Sequence, residues 1–456
     1  MITTLNIKNF KSWQQTGDIQ LGSLTGIFGT NSSGKTSLLQ FLLMLKQTAE
    51  TADRSRVLHT GNDITLVDLG TFYDIIYAHK ESGIIDFHLA WDTNQPITIP
   101  SLKKTNKKTS SFHDAEFSSI KFNASIEGQG NDIYVKKFTY QINDIRFGME
   151  RQKEGKYKLI HDGFKAIRAQ GRKWPLPAPV KSYGFPDPVF AYYQNVGFLP
   201  SLVLAFEQLM SSIYYLGPLR EYPSRSYLWA GERPTGVGRR GEQAIPALLA
   251  SRETIQPQKK KGARRKTLEE YVAEWLKKLG VIHDFKLKQI ADNRKDYEVR
   301  ITTHPNAPEV LITDVGFGVS QVLPVIVLCF YAPEGSTVIL EQPEIHLHPS
   351  IQAGLADVFI DAIKTRGIQI ILESHSEHLL TRLQRRIAEE QIDSDNVKLY
   401  FAENSNGISN LSALDLDDCG NIRNWPANFF GDSMEDLAAM TDATINRQNN
   451  NSSTHE

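Results

Sequence analysis

Apolar positions along this 456-residue chain change their period several times, and each change marks a structural element. The opening MITTLNIKNFKSW alternates apolar and polar residues, the pattern of a half-buried strand. An apolar stub, LTGIF, then runs into GTNSSGKT, and SLLQFLLMLKQ follows with leucines at helical spacing. Residues 85 to 165 return to period two in GIIDFHLAW, IKFNASIEG and YVKKFTYQI, which predicts antiparallel strands interrupted by the polar loop KKTNKKTSS. Residues 196 to 213 read as a helix. In LEEYVAEWLKKLG, Leu268, Tyr271, Val272, Trp275, Leu276 and Leu279 share one helical face.

From residue 307 the periods alternate at short intervals. EVLITDVGFGVSQVLPVIVLCFYA, STVILEQPE, SIQAGLADVFIDAIKT and IQIILESHSEHLLTRLQRRI read as strand–turn–helix, strand, helix, and strand–helix. Such alternation predicts an α/β fold with a mixed, mainly parallel sheet, joined here by an antiparallel β lobe and a helical insertion. Five segments are expected: an amino-terminal lobe over 1–95, a β-rich lobe over 96–180, a helical insertion over 181–306, a second α/β lobe over 307–425 and a largely disordered tail over 426–456. Heptads are not sustained long enough for a coiled-coil arm.

Composition narrows the class without choosing the chemistry. At 40% hydrophobic and 23% charged residues, with a net charge of −1, the chain reads as an ordinary globular protein with no global pull toward nucleic acid or anionic lipid. Two cysteines, Cys329 and Cys419, point to a reducing compartment. No signal peptide is recognisable, and no apolar stretch approaches the roughly 20 residues that cross a bilayer. A cytoplasmic protein with no membrane partner is the expectation.

The strongest chemical signal is Gly29-Thr30-Asn31-Ser32-Ser33-Gly34-Lys35-Thr36, a G-x-x-x-x-G-K-S/T loop between strand and helix, with Ser37 next in the helix. Glycines let the backbone fold tightly enough to turn N–H groups onto a phosphate, and the helix adds its positive end. Lys35 would reach β- and γ-phosphates, and the Thr36 hydroxyl would ligate Mg²⁺. ATP and Mg²⁺ are the implied cofactors. Ligands of parallel sheets gather at the strands' carboxyl ends. Gly29 to Thr36, Glu341 and His375 all lie just past such ends.

The order of phosphate loop, Gly-rich DVGFGVSQ, VILEQPEIHLHP and ESHS resembles the ABC-type P-loop ATPases of the overcoming-lysogenisation-defect, RecF and SMC/Rad50 class. It is most similar to compact bacterial ATPases with an EQPEIHLHP signature, often encoded beside effector genes in phage-defence loci; YLGPLREYPSRSY, KSYGFP and NWPANFF are shared too. The resemblance implies a head-to-tail dimer, or a higher homo-oligomer, in which each phosphate loop faces the partner's signature turn. Gly316, Gly318 and Ser320 would form that turn, Ser320 capping the following helix, unless the segment is an ordinary Gly-rich strand-to-helix turn. It also implies that His375 senses the γ-phosphate and Glu341 holds the Mg²⁺ hydration shell. Gln342 would then occupy the position of the glutamate that polarises the attacking water.

An amide accepts no proton at neutral pH, and a missing general base costs about 10²–10⁴-fold. A slow ATPase is therefore expected, with either Gln342 orienting the water or Glu344 supplying the missing charge. His346 and His348 are read as interface residues rather than metal ligands, for want of further ligands at suitable spacing. Arg220 in YLGPLREYPSRSY is either a phosphate or interface arginine or a structural hub. The basic run 259–266, KKKGARRK, is a loop that contacts nucleic acid or an acidic partner, or is simply solvated. The lone D-x-D at Asp415 and Asp417 is a weak nuclease signal, and about 80 residues after His375 leave too little chain for the fused Toprim nuclease of some relatives. The favoured function is a sensor or switch in anti-phage defence that controls a separately encoded effector. The rival is a DNA-binding repair or maintenance ATPase acting without one.

Overall fold

The computed structural model describes the chain apart from residues 103–111, 131, 172–173, 253–265, 427–428, 431–438 and 446–456. The KKTNKKTSS loop, the basic run save Lys266, and most of the tail lie outside the described residues. A six-stranded sheet holds the strands Ile213–Leu216, Thr337–Glu341, Gln369–Glu373, Leu24–Gly29, Val397–Ser405 and Ile408–Ala413 in that spatial order. The first five run parallel and the last antiparallel. Crossover helices cover this sheet, as parallel strands require.

The strands Thr337–Glu341, Gln369–Glu373 and Leu24–Gly29 are buried along their whole length, which explains their unbroken apolar letters. Their side chains still alternate between two cores. Ile339, Ile371 and Ile27 join a core built with the helix Lys35–Glu50 and the antiparallel strands. Val338, Leu340, Ile370 and Leu372 join the other, against the helices Gly318–Tyr331, Pro349–Arg366 and Glu377–Ala388. Glu341 and Glu373, two positions beyond Ile339 and Ile371, therefore fall on the side of the helix Lys35–Glu50.

The antiparallel sheet runs in the order Trp13–Gln15, Ile2–Phe10, Ser82–Leu102, Phe112–Gln129, Asp132–Ile142, Ile145–Arg151 and Tyr157–Asp162, with Ile19–Gln20 also pairing Ile2–Phe10. Strand Ser82–Leu102 continues past position 95 across a register shift between Asp92 and Ile97, so the segments 1–95 and 96–180 share one ladder. The helical insertion contains Leu199–Ser211, Ala244–Ala250 and Leu268–Lys278, the last with a Thr267/Glu270 capping box. It also carries Ile213–Leu216, which edges the central sheet, and Tyr227–Leu228, Asp284–Gln289 and Asp296–Thr302 of a small antiparallel sheet that Val310–Leu311 of the next segment completes. Period-two burial in DYEVRIT accounts for one of these strands. Cys329 is buried and Cys419 exposed, and neither is in a disulfide.

Candidate functional site

Leu24–Gly29 ends in a loop whose tip, Thr30, Asn31 and Ser32, is exposed, and the helix begins at Lys35. Two glycines are sterically required. Gly29 has φ 141°, and a Cβ there would lie 2.0 Å from the Ala402 carbonyl oxygen of the neighbouring strand. Gly34 has φ 90°, and its Cβ would meet the Ser12 and Ser409 hydroxyls at 2.7 Å. Lys35 is buried, donating to the carbonyls of Gly29 (3.1 Å) and Thr30 (2.6 Å) and to the Ser33 hydroxyl (3.3 Å). Burial lowers its pKa, against the nearby charges of Glu373 and Glu344. Ser37 points away from the loop mouth: its hydroxyl accepts from the Trp13 indole at 2.9 Å, and Trp13 also donates to the Gly34 carbonyl. Sequence reading did not single out Ser12, Trp13 and Ser409; Trp13 and Ser409 lie on strands of two different sheets and Ser12 in the turn before Trp13, with Ser409 bonding to Ser12 through its N–H (2.9 Å) and hydroxyl (2.7 Å).

Glu341 and Glu373 are directly opposite in the parallel ladder, and Glu373 is in turn opposite Ile27 of the phosphate-loop strand. Adjacent parallel strands lie about 4.8 Å apart, so the two carboxyl groups stand side by side over the loop. Both are almost fully buried, at 4% and 2% exposed. Burial, then the Glu373 charge, pushes Glu341 up to about 7, while the Tyr215 hydroxyl and the Arg220 and Lys11 charges pull the other way. Glu373 is also raised by burial, against the Thr36 hydroxyl, the Lys35 charge and the Gln342 side chain, which favour its charged form. One oxygen of each, Glu341 Oε1 and Glu373 Oε2, has no hydrogen-bond partner. Gln342 itself sits at φ 44°, a left-handed conformation that costs a non-glycine residue, held by its N–H on the Glu373 carbonyl (2.9 Å).

Glu344 ties this edge to the next loop. Its Oε1 accepts from the His375 backbone N–H at 2.6 Å, and Oε2 has no hydrogen-bond partner. Partial burial, then the Lys35 charge, holds His375 below its ordinary range. Arg220, just beyond strand Ile213–Leu216, is 5% exposed, and none of its three guanidinium nitrogens has a hydrogen-bond partner. Burial brings it down to about 10, opposed by Tyr215, Glu341 and Glu344. The hub reading of Arg220 thus has no bonds to rest on, whereas an anion would engage two of these nitrogens at once.

Lys35, Thr36, Glu341, Gln342, Glu344 and His375 are therefore brought together, with Glu373 and Arg220 added to them. The signature turn lies to one side. Gly316 is exposed and a Cβ at Gly316 or Gly318 would meet nothing within 4 Å, so neither glycine is required by its own chain. Phe317 is the residue before the helix; Ser320 is buried inside it and donates to the Phe317 carbonyl at 2.7 Å, so it does not cap the helix. The helix starts two residues earlier than the serine because Gly318 and Val319 already fit helical backbone. His346 packs edge-on against Phe317 (5.5 Å), and His348 caps the helix Pro349–Arg366 by accepting from the Ser350 N–H. No group of three or more His, Cys, Asp or Glu among the described residues is arranged to hold a metal by itself. Mg²⁺ in nucleotide sites draws on only one or two protein ligands plus phosphates and water, which this edge provides.

Comparison with known proteins agrees with this chemistry. Residues 1–169 match the AAA ATPase domain family. Residues 200–381 match the family described as AAA domain, putative AbiEii toxin, Type IV TA system, and 392–440 match a protein family of unknown function, DUF3696. No curated protein matches. Among solved structures, the SMC head bound to the C-winged helix domain of ScpA is 12% identical with a TM-score of 0.43, over 91% of this chain and 98% of that one. The Thermotoga maritima SMC head domain is 12% identical with a TM-score of 0.42, over 91% and 99%. An SMC head with the C-terminal domain of ScpA derived from Pyrococcus furiosus is 10% identical with a TM-score of 0.43, over 91% and 96%. The chain carries AAA-type ATPase domains and is an ATP-hydrolysing enzyme.

Proposed function

We propose that this ATPase is a slow switch: the sensor subunit of a bacterial anti-phage defence system that stays ATP-bound for long periods and controls a separately encoded effector. The supporting observation is the clustering of Lys35, Glu341 and His375 around one strand edge where the residue after Glu341 is an amide. The family matched by residues 200–381 is itself described by a toxin–antitoxin system, the same kind of two-component arrangement.

In this reading the backbone of residues 29–36 wraps the phosphates and Lys35 leaves its loop carbonyls for β- and γ-phosphate oxygens. Arg220 takes negative charge developing on the γ-phosphoryl group, and His375 reports its presence through the Glu344 contact. Thr36 and Glu341 would hold Mg²⁺, which when bound neutralises charge between the β- and γ-phosphates; the unpartnered Oε1 of buried Glu341 fits a cation. Two copies pair head to tail, the exposed Gly316–Gly318 turn offering its helix amides to the other copy's ATP.

The test is affinity purification of the tagged protein from its native host with and without ATP, followed by an assay of any co-purified nuclease or toxin. The switch reading expects a partner whose activity changes with nucleotide. Tight, salt-sensitive DNA binding by the protein alone, lost when the lysines and arginines of 259–266 become serine, would instead establish the repair or maintenance reading.

A further inference from the structure

Three buried carboxylates ring the phosphate loop, and their surroundings set them different tasks. Glu344 is committed to the His375 loop, accepting from the His375 N–H at 2.6 Å. Glu341 feels Tyr215 and the Arg220 charge, toward the sheet edge away from the loop strand. Glu373 is on the strand between Glu341 and the loop strand, with the Thr36 hydroxyl and the Lys35 charge on one side and the Gln342 amide on the other. It is 2% exposed, and its Oε2 has no partner among protein groups. A buried carboxylate oxygen left unpaired is costly unless something else binds it.

We infer that Glu373 is the carboxylate that orients the attacking water and accepts its proton, so that the catalytic base of this ATPase stands on the strand next to the position Gln342 occupies, a displacement that keeps turnover slow. In the reaction the water oxygen bonds to the γ-phosphorus as the bond from that phosphorus to the ADP oxygen breaks. The water proton passes to Glu373 Oε2 and from there to inorganic phosphate as it leaves. Gln342 is a positioning residue: its side chain favours the charged form of Glu373, and its N–H donates to the Glu373 carbonyl at 2.9 Å, which makes sense of a glutamine held at φ 44°. Parallel pairing, with Glu341 opposite Glu373, sets the two carboxylates side by side and lets one take the metal-side role and the other the water.

This inference rests on the 29–36 loop holding ATP, and the experiment separates the two. ATP binding is followed with a fluorescent ATP analogue in Mg²⁺ buffer, and turnover by phosphate release, for the parent and for Lys35→Ala, Glu373→Gln and Glu373→Gln/Gln342→Glu. Glu373→Gln should bind the analogue within about threefold of the parent while turnover falls about 10²–10⁴-fold, the range for loss of a general base. The double variant, which moves the carboxylate one strand across, should recover at least tenfold of the roughly 10²–10⁴-fold loss. A melting temperature for Glu373→Gln at or above the parent's shows that the loss is not unfolding, since the exchange removes a buried charge at constant shape. Turnover by Glu373→Gln within threefold of the parent overturns the inference, as does Glu373→Gln binding that no longer responds to Mg²⁺, which would make Glu373 a metal ligand. Analogue binding by Lys35→Ala at parental affinity would overturn the nucleotide-site reading itself.

Discussion

The antiparallel lobe and the carboxyl edge of the central sheet are equally buried but hold their polar atoms in opposite ways. In the lobe, Phe122 packs on Tyr140 (4.8 Å) and Phe206 (5.0 Å), and three buried tyrosine hydroxyls find carbonyl or carboxylate partners: Tyr140 to Tyr183, Tyr183 to Glu207, Tyr157 to Val135. At the sheet edge the reverse holds. Of the eleven buried side-chain atoms without a partner among the described residues, six belong to Arg220, Glu341, Glu344 and Glu373. Folding alone does not favour such an arrangement, because each unpaired buried group costs about 1–3 kcal/mol, more if charged. One region is built for stability; the other carries unmet electrostatic demand that a charged ligand would meet.

That contrast predicts opposite responses to substitution. Lys35→Ala has the largest expected effect: ATP binding weakened about 100-fold, from loss of charge-assisted phosphate bonds, with a melting temperature near the parent's, checked by analogue titration and calorimetry. Phe122→Ala should do the converse. It removes a fully buried ring and should cost about 3–5 kcal/mol of stability in denaturant titration, while protein that remains folded keeps parental affinity for ATP. Gln342→Glu should raise turnover several-fold in a phosphate-release assay, since it adds a second carboxylate at the water; slower turnover would mean that a neutral amide beside Glu373 matters more than the added charge.

The smallest effect is a pH trend. Folding raises Glu341 to about 7 from an ordinary 4.5, so between these values the folded protein holds a proton that the unfolded chain releases. Stability is therefore greatest at or below about pH 4.5 as far as this group is concerned and falls as pH rises toward 7. Glu344 and Glu373 shift the same way. In chelator-containing buffer the melting temperature should decline across that window, and the decline should shrink in Glu341→Gln. A flat profile for the parent would remove the unmet charge from the comparison.

The phosphate loop, the parallel sheet and the Glu341–His375 edge are legible in sequence because local order carries them: strand, loop and helix arrive in sequence, and the apolar runs end in the polar residues that matter. Glu373 is less visible. In ESHS the histidine draws the eye, yet the glutamate has the same parity beyond Ile371 as Glu341 has beyond Ile339, and that signal places it over the loop. Arg220 becomes interpretable only when Ile213–Leu216 pairs with Thr337–Glu341 more than a hundred residues away. Ser320 was expected to cap its helix because serine favours that position; the flanking Gly318 and Val319 extend the helix past it. Ser12, Trp13 and Ser409 converge behind Gly34 solely through tertiary pairing, which no local pattern encodes.

The most direct test of the sheet edge as an ATP site is a crystal structure of the protein with a non-hydrolysable ATP analogue and Mg²⁺. The account predicts the triphosphate wrapped by residues 29–36, Lys35 on its β- and γ-oxygens, and a water between the γ-phosphate and Glu373. A nucleotide bound elsewhere, with Lys35 still on the carbonyls of Gly29 and Thr30, would contradict it.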